Sequence, residues 1–294
     1  MVDTHTETFR IRHDECDAYG VLNNAAYLRL AQETAWRHSI AAGFPPAYYE
    51  SLQRAWLARE TEIEYLQPVR YGETLQVKTF VSATRRALAR RAYEFRVADS
   101  GELVARAHTD WVFFDLAAAA PATIPSEITE ALFRGTEPPE PLKRTPFPAA
   151  PPAPAGAVTW RRRVEWRDID PLGHLNNAAY LSYTEEAAIE AGNQYGITSA
   201  SSAEAGLGWA VKRSRIEYRQ PAVAGDELEV LTWLGSVRQA SAERHYSIFG
   251  ASQRQLLARA QTRWLTVDLV TGKPRRIPGW IREAFAPNRT LAVN

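Results

Sequence analysis

The chain has 294 residues, a net charge of +1 and a single cysteine. A balance so near neutral excludes an overall field that recruits nucleic acid or an anionic membrane, and one cysteine excludes an intramolecular disulfide framework. The opening MVDTHTETFRIRH carries no apolar signal core, and no apolar run reaches the roughly 18 residues of a membrane span, so a cytoplasmic chain with no membrane-spanning segment is expected.

In chain order, a short strand is expected over Phe9–His13, followed by a turn at Gly20. A helix follows, capped by Asn23 or Asn24 and running through Ala25-Ala26-Tyr27-Leu28 to Ala35-Trp36. It is alanine-rich and apolar on most sides, the pattern of a buried helix. Four extended segments come next, near Trp56–Leu66, Glu73–Ala83, Ala87–Val97 and Leu103–Asp115, with Gly72 and Gly101 as turn punctuation. Residues 135–156 hold eight of the 18 prolines and read as a semi-rigid extended strap that spans rather than packs. A second strand, Arg163–Arg167, then leads through a turn at Gly173 into a helix from about Asn177 that ends near Gly192. Strands near Trp209–Arg219, Glu227–Gly235, Ala242–Phe249 and Leu256–Asp268 complete the chain.

The second half repeats the first. DAYGVLNNAAY at 17–27 matches DPLGHLNNAAY at 170–180, an offset of 170 − 17 = 153. The same offset pairs Trp56 with Trp209, Tyr65 with Tyr218, Gly72 with Gly225, Arg85 with Arg238, Trp111 with Trp264 and Ile124-Pro125 with Ile277-Pro278. A period this long is a duplicated domain rather than a solenoid repeat. The expected organisation is a first domain over 1–134, a proline-rich linker over 135–156 and a second domain over 157–294. Each copy reads strand, long helix, four strands, an α+β arrangement in which an antiparallel sheet wraps one apolar helix.

The chemistry-bearing residues cluster where the helix begins. A helix N-terminus presents unpaired N–H groups and partial positive charge, and so can hold a carbonyl oxygen that is gaining negative charge. Asp170 lies seven residues before Asn177 and could serve as general base or nucleophile; His174 could hydrogen-bond either the carboxylate or the substrate. The competing reading is an ordinary capped turn, which Asp-x-x-Gly followed by Asn-Asn also describes. Within the repeat His174 is replaced by Val21, so the two copies are unequal. No glycine-rich phosphate loop, dinucleotide fingerprint, Gly-x-Ser-x-Gly elbow or Cys-x-x-Cys pair occurs. Cys16 aligns with Ile169 and is expected to pack, and His13, His38, His108 and His245 lack metal-ligand spacing.

The pattern Asp-x-x-Gly-His-x-Asn-Asn-x-x-Tyr-Leu, with Glu185-Glu186-Ala187 beyond it, resembles the hotdog-fold thioesterases, namely the 4-hydroxybenzoyl-CoA thioesterase group with its acyl-CoA relatives and the acyl-ACP thioesterases. The resemblance implies two tandem hotdog domains, each a curved antiparallel sheet around a long central helix. It implies an acyl-CoA or acyl carrier protein thioester as substrate, no cofactor or metal, and a homodimer of the double unit. It places the base or nucleophile on Asp170 and Asp17, and the carbonyl-polarising amide near Asn177 and Asn24. The motif histidine is His174, and a helix carboxylate falls on Glu186 or Glu33. Leu172 stands where the acyl-ACP enzymes carry an asparagine, so their full triad is not reproduced. Asn176, Tyr180, Asn23, Tyr27 and Trp36 are candidate substrate contacts. Arg85, Arg238, Arg91 and Arg244 are candidate phosphate contacts or exposed sheet arginines. A hotdog hydratase or dehydratase, and a non-catalytic acyl-thioester binder, are the alternatives.

Overall fold

The computed structural model describes residues 3–133, 141–143 and 145–290. The chain divides into two compact units, Met1–Pro146 and Phe147–Asn294.

In the first unit β1 (Thr4–Arg10) precedes a long helix, α1 (Asn24–Ala41), and a short one, α2 (Pro46–Ser51). Four strands follow: β2 (Arg54–Tyr65), β3 (Thr74–Arg85), β4 (Leu88–Val97) and β5 (Leu103–Asp115). A two-residue strand β6 (Ala120–Pro121) pairs with β5, and α3 (Ser126–Phe133) follows it. The strands lie in the order β1-β3-β4-β5-β2, every pair antiparallel. The second unit repeats this with β7 (Val158–Arg163), α4 (Asn177–Gln194), α5 (Ser199–Glu204), β8 (Leu207–Tyr218), β9 (Glu227–Val237), β10 (Ser241–Gly250), β11 (Leu256–Asp268) and α6 (Gly279–Ala284). Its order is β7-β9-β10-β11-β8.

Each sheet buries alternate residues against its long helix, as the two-residue strand period requires. Leu75, Val77, Thr79 and Val81 of β3 and Ala89, Arg91, Tyr93 and Phe95 of β4 are buried, and α1 packs on β1 and β3. The helix can approach closely because Ala25, Ala26 and Ala31 carry so little bulk; the second helix does the same with Ala178, Ala179, Ala187 and Ala191. Gly192 sits where an added Cβ would lie 2.7 Å from the Ile197 carbonyl oxygen.

Three expectations are corrected. The first strand of each copy lies earlier than its alternation suggested, at Thr4–Arg10 and Val158–Arg163. Residues His13–Glu15 and Trp166–Asp168 are instead single 3-10 turns that lead into the Asp loop. Two side chains of the 135–156 segment pack rather than merely span, while most of its other described residues are exposed; residues 135–140 and 144 lie outside the described residues. Leu142 is buried and its N–H donates to the Thr84 carbonyl at 3.4 Å. Phe147 is buried beneath the guanidinium groups of Arg259 and Arg215, 4.7 and 5.1 Å from its ring centroid. Finally, Arg91 and Arg244 are buried rather than exposed. They occupy inward positions of β4 and β10, Arg91 bonding His38 Nδ1 at 2.8 Å and Arg244 lying over the Phe285 ring.

Candidate active site

The repeated motif folds the same way in both units. The chain passes from the 3-10 turn into a tight loop closed by Asp170 N–H to the His174 carbonyl (2.8 Å) and Gly173 N–H to the Asp170 carbonyl (2.9 Å). The corresponding bonds around Asp17 are 2.8 and 2.9 Å. Gly173 and Gly20 have φ of 79° and 73°, the left-handed region in which glycine alone is unstrained. The loop is tied to the β8–β9 connection by Leu175 N–H to the Ala222 carbonyl, and in the first unit to the β2–β3 connection by Leu22 N–H to the Val69 carbonyl. It is tied to the preceding turn by Asn176 N–H to the Asp168 carbonyl at 2.8 Å.

The Asp side chain does two things. Its Oδ1 accepts from the Leu172 N–H at 2.9 Å and the His174 N–H at 3.4 Å, which is the capped-turn reading made real. Its Oδ2 accepts no hydrogen bond from any described residue. Asp17 repeats this, with Oδ1 taken by Tyr19 N–H at 2.8 Å and Val21 N–H at 3.3 Å. Burial holds the Asp17 carboxyl above the usual carboxylate range, against the pull of those two backbone bonds.

Asn23 and Asn176 are the N-caps, their side-chain oxygens accepting from Ala25 N–H at 3.0 Å and Ala178 N–H at 2.9 Å. Asn24 and Asn177 are the first helical residues. The Asn177 N–H donates to no described residue, while its carbonyl accepts from Tyr218 Oη–H at 3.0 Å; Tyr65 does the same to Asn24. These two tyrosines fix the helix start, and only their matching repeat positions hinted at them. The His174 imidazole is half-buried and hydrogen-bonds no described residue.

Other expected site residues are placed elsewhere. Tyr27 and Tyr180 are buried in aromatic clusters, Tyr27 edge-on to Tyr65 and Phe95 and Tyr180 edge-on to Tyr218, so they support the helix from beneath. Burial drives both phenols well above the ordinary range. Glu186 and Glu33 are exposed, and Glu33 bonds Arg37 one turn on at 2.7 Å. Their inward neighbours Glu185 and Gln32 are partly buried instead. Trp36 sits 12 residues into α1, about 18 Å along the axis, against Tyr49. Arg85 and Arg238 are exposed at the β3–β4 and β9–β10 turns. The strand β3 puts Arg85 about 36 Å from the end that meets the loop, so neither arginine joins the motif.

Cys16 pairs with Leu22 in an isolated bridge, and burial together with Asp17, Glu15 and Asp14 raises its thiol, the wrong direction for a nucleophile. Among the described residues no group of three histidine, cysteine or acidic side chains is disposed to hold a metal, and no helix is long and apolar enough to cross a membrane.

Two helix-wrapping antiparallel sheets of repeated topology, each with an acidic loop at the helix start, define a double hotdog. The thioesterase-like superfamily model matches residues 11–132 and 164–285, once per unit, and the chain belongs to that family. It is similar to the acyl-[acyl-carrier-protein] hydrolase of Cuphea viscosissima, 24% identical over 191 residues, covering 61% of this chain and 46% of that protein. The chain thus spans less than half the length of that relative. It is also similar to the acyl-CoA thioester hydrolase YbgC of Escherichia coli, 29% identical over 126 residues, 43% of this chain and 93% of that protein. Among solved structures, a presumed oleoyl thioesterase of Lactobacillus plantarum superposes with a TM-score of 0.78 at 20% identity, covering 90% of this chain and 97% of that one. The 12:0-ACP thioesterase of Umbellularia californica gives 0.69 at 19%, with the same coverage. These likenesses establish the double hotdog fold.

Proposed function

We propose that the chain hydrolyses acyl thioesters of coenzyme A or of acyl carrier protein, and that the second unit's motif carries the chemistry. The observation that carries this is the junction of loop and helix in that unit. Asp170 has one oxygen anchored by backbone N–H groups, and among the described residues its other oxygen and the Asn177 N–H at the helix start have no hydrogen-bond partner. Asp170 takes a proton from water as the water oxygen attacks the thioester carbonyl. The Asn177 N–H accommodates the oxyanion, and the tetrahedral species collapses with cleavage of the C–S bond. The thiolate recovers the proton, leaving a free acid and a thiol. His174 supports this by hydrogen-bonding the attacking water or the departing sulfur.

The relatives named as acyl-ACP and acyl-CoA hydrolases support the reaction class. The first unit, with Val21 in place of His174, is read as an acyl-thioester-binding half with weaker or no turnover. We extend the reading to a homodimer of chains, which sedimentation would test, and to a reducing cytoplasmic setting, in keeping with the single cysteine.

The test is thiol release across a panel of acyl-CoA and acyl carrier protein thioesters of graded chain length. Turnover to free acid on at least one carrier is expected. Hydration of crotonyl-CoA without hydrolysis would favour the hydratase alternative, and tight binding without turnover would favour the binder.

A further inference from the structure

The two Asp loops are alike, but what stands behind them is not. In the second unit the seventh residue of α4 is Tyr183, buried, whose Oη–H donates to Asp168 Oδ2 at 2.7 Å. Asp168 is also the residue whose carbonyl accepts the Asn176 N–H at 2.8 Å, the bond that closes the loop bearing Asp170 and His174 onto the helix cap. Tyr183 is itself held from β7, with Trp160 edge-on at 5.8 Å and the Arg162 guanidinium 5.8 Å from its ring centroid. The chain of support runs from strand to tyrosine to Asp168 to loop.

The first unit lacks every side-chain link in that chain. At the same offset of 153, Tyr183 is Leu30, Trp160 is Glu7, Arg162 is Phe9 and Asp168 is Glu15. The Glu15 carbonyl still accepts the Asn23 N–H at 2.9 Å, but its carboxylate turns back to the Arg12 N–H and caps its own 3-10 turn. Nothing in ordinary packing asks for a hydroxyl on a helix face where leucine suffices in the sister unit. The extra polar link occurs in the copy that also carries His174.

We propose that Tyr183 is a positioning residue of the second-unit site: through Asp168 it fixes the loop that presents Asp170 and His174. This rests on the hydrolase reading above. A loop that carries a reacting group gains rate from being held in place, and a misplacement of about 1 Å can cost roughly 100-fold. Here the backbone bonds of the loop survive without the hydroxyl, so the loss is smaller.

The experiment compares wild type with Tyr183→Phe, Asp168→Asn, Asp168→Ala and the double variant Tyr183→Phe/Asp168→Ala on the best thioester of the panel. Tyr183→Phe keeps the ring and its packing. Its kcat is expected to fall on the order of tenfold with KM within about twofold, and its melting temperature by only the few degrees that one lost hydrogen bond costs. Asp168→Asn retains an accepting oxygen and is expected to keep most of the rate. Asp168→Ala is expected to match Tyr183→Phe, and the double variant to lose no more than either alone, because both remove one link. A Tyr183→Phe rate within twofold of wild type, or losses that multiply in the double variant, would overturn the proposal. Should wild type turn over no thioester, the hydrolase reading fails first. Amide exchange over residues 168–176 then decides this inference alone, with faster exchange in Tyr183→Phe expected and unchanged exchange overturning it.

Discussion

The two units share a fold, a strand order and an Asp loop, yet their polar interiors were built differently. In the first unit a buried line runs from Asp3 Oδ2 to His38 Nε2 (3.2 Å) and from His38 Nδ1 to Arg91 (2.8 Å), with His5 stacked on His38 at 5.8 Å. In the second, Gly156, Ala191 and Val158 occupy the equivalent positions, and Arg244 is served by Thr232 Oγ1 and Asn288 Oδ1. A cross-strand pair even reverses sign, Arg90 facing Asp110 in one unit and Glu243 facing Arg263 in the other. Around the loop, Val21 forms a bridge with Arg70, whereas His174 forms none among the described residues. The contrast teaches that duplication preserved backbone architecture while the two interiors diverged, one toward a hydrogen-bonded tie of helix to sheet and the other toward support of a loop.

The comparison can be broken most sharply at His174. Replacing it by the first unit's residue, His174→Val, is expected to lower kcat by about 100-fold, the lower end of what a proton-handling partner contributes. The reciprocal Val21→His is expected to add nothing measurable, because the first-unit loop is pinned at Arg70 and lacks the Tyr183 link. Steady-state kinetics on one thioester checks both, and equal effects at the two sites would erase the distinction between the units.

Acid distinguishes the interiors next. Burial, then Arg91, pushes His38 down to about 4, whereas an unfolded histidine titrates near 6.5. His38 is therefore neutral in the fold, and its contribution to stability is full above about pH 6.5. That contribution is lost as pH falls from there toward 4, where the unfolded chain takes up a proton that the folded unit refuses. The loss is about 3 kcal/mol at most. Urea midpoints between pH 7.5 and 4.5 should fall steeply in wild type and more gently in His38→Gln, with first-unit segments opening first by hydrogen exchange. Ala191 gives the second unit no such dependence.

The smallest effect sharpens the comparison instead. Tyr65→Phe and Tyr218→Phe each remove one hydrogen bond to the helix-start carbonyl and should each lower stability by about 1 kcal/mol. Only Tyr218→Phe should also reduce kcat, since it loosens the residue whose N–H is assigned to the oxyanion.

Much of this was legible in the sequence because the evidence was periodic. The two-residue alternation in the strands and the alanine-rich helix gave the architecture, and the constant offset gave the duplication. The loop was legible for the same reason, since Asp, Gly and Asn-Asn each answer a local demand for an Asx turn, a left-handed φ and an N-cap. Arg91 escaped because charge argued for exposure, although Ala89, Arg91, Tyr93 and Phe95 follow one face in strict alternation. The distance of Arg85 and Arg238 from the motif was not legible because repetition says nothing of distance, and a twelve-residue strand separates Arg85 from the loop. The link from Tyr183 to Asp168 joins residues 15 apart through side chains, which no local pattern records.

The central claim is that the second motif, not the first, holds the chemistry. It is tested most directly by kcat for Asp170→Asn and Asp17→Asn on the same thioester, with both variants shown to be folded. Asp170→Asn is predicted to lose about 1,000-fold and Asp17→Asn no more than about threefold. Comparable losses in the two variants, or an intact Asp170→Asn enzyme, would contradict it.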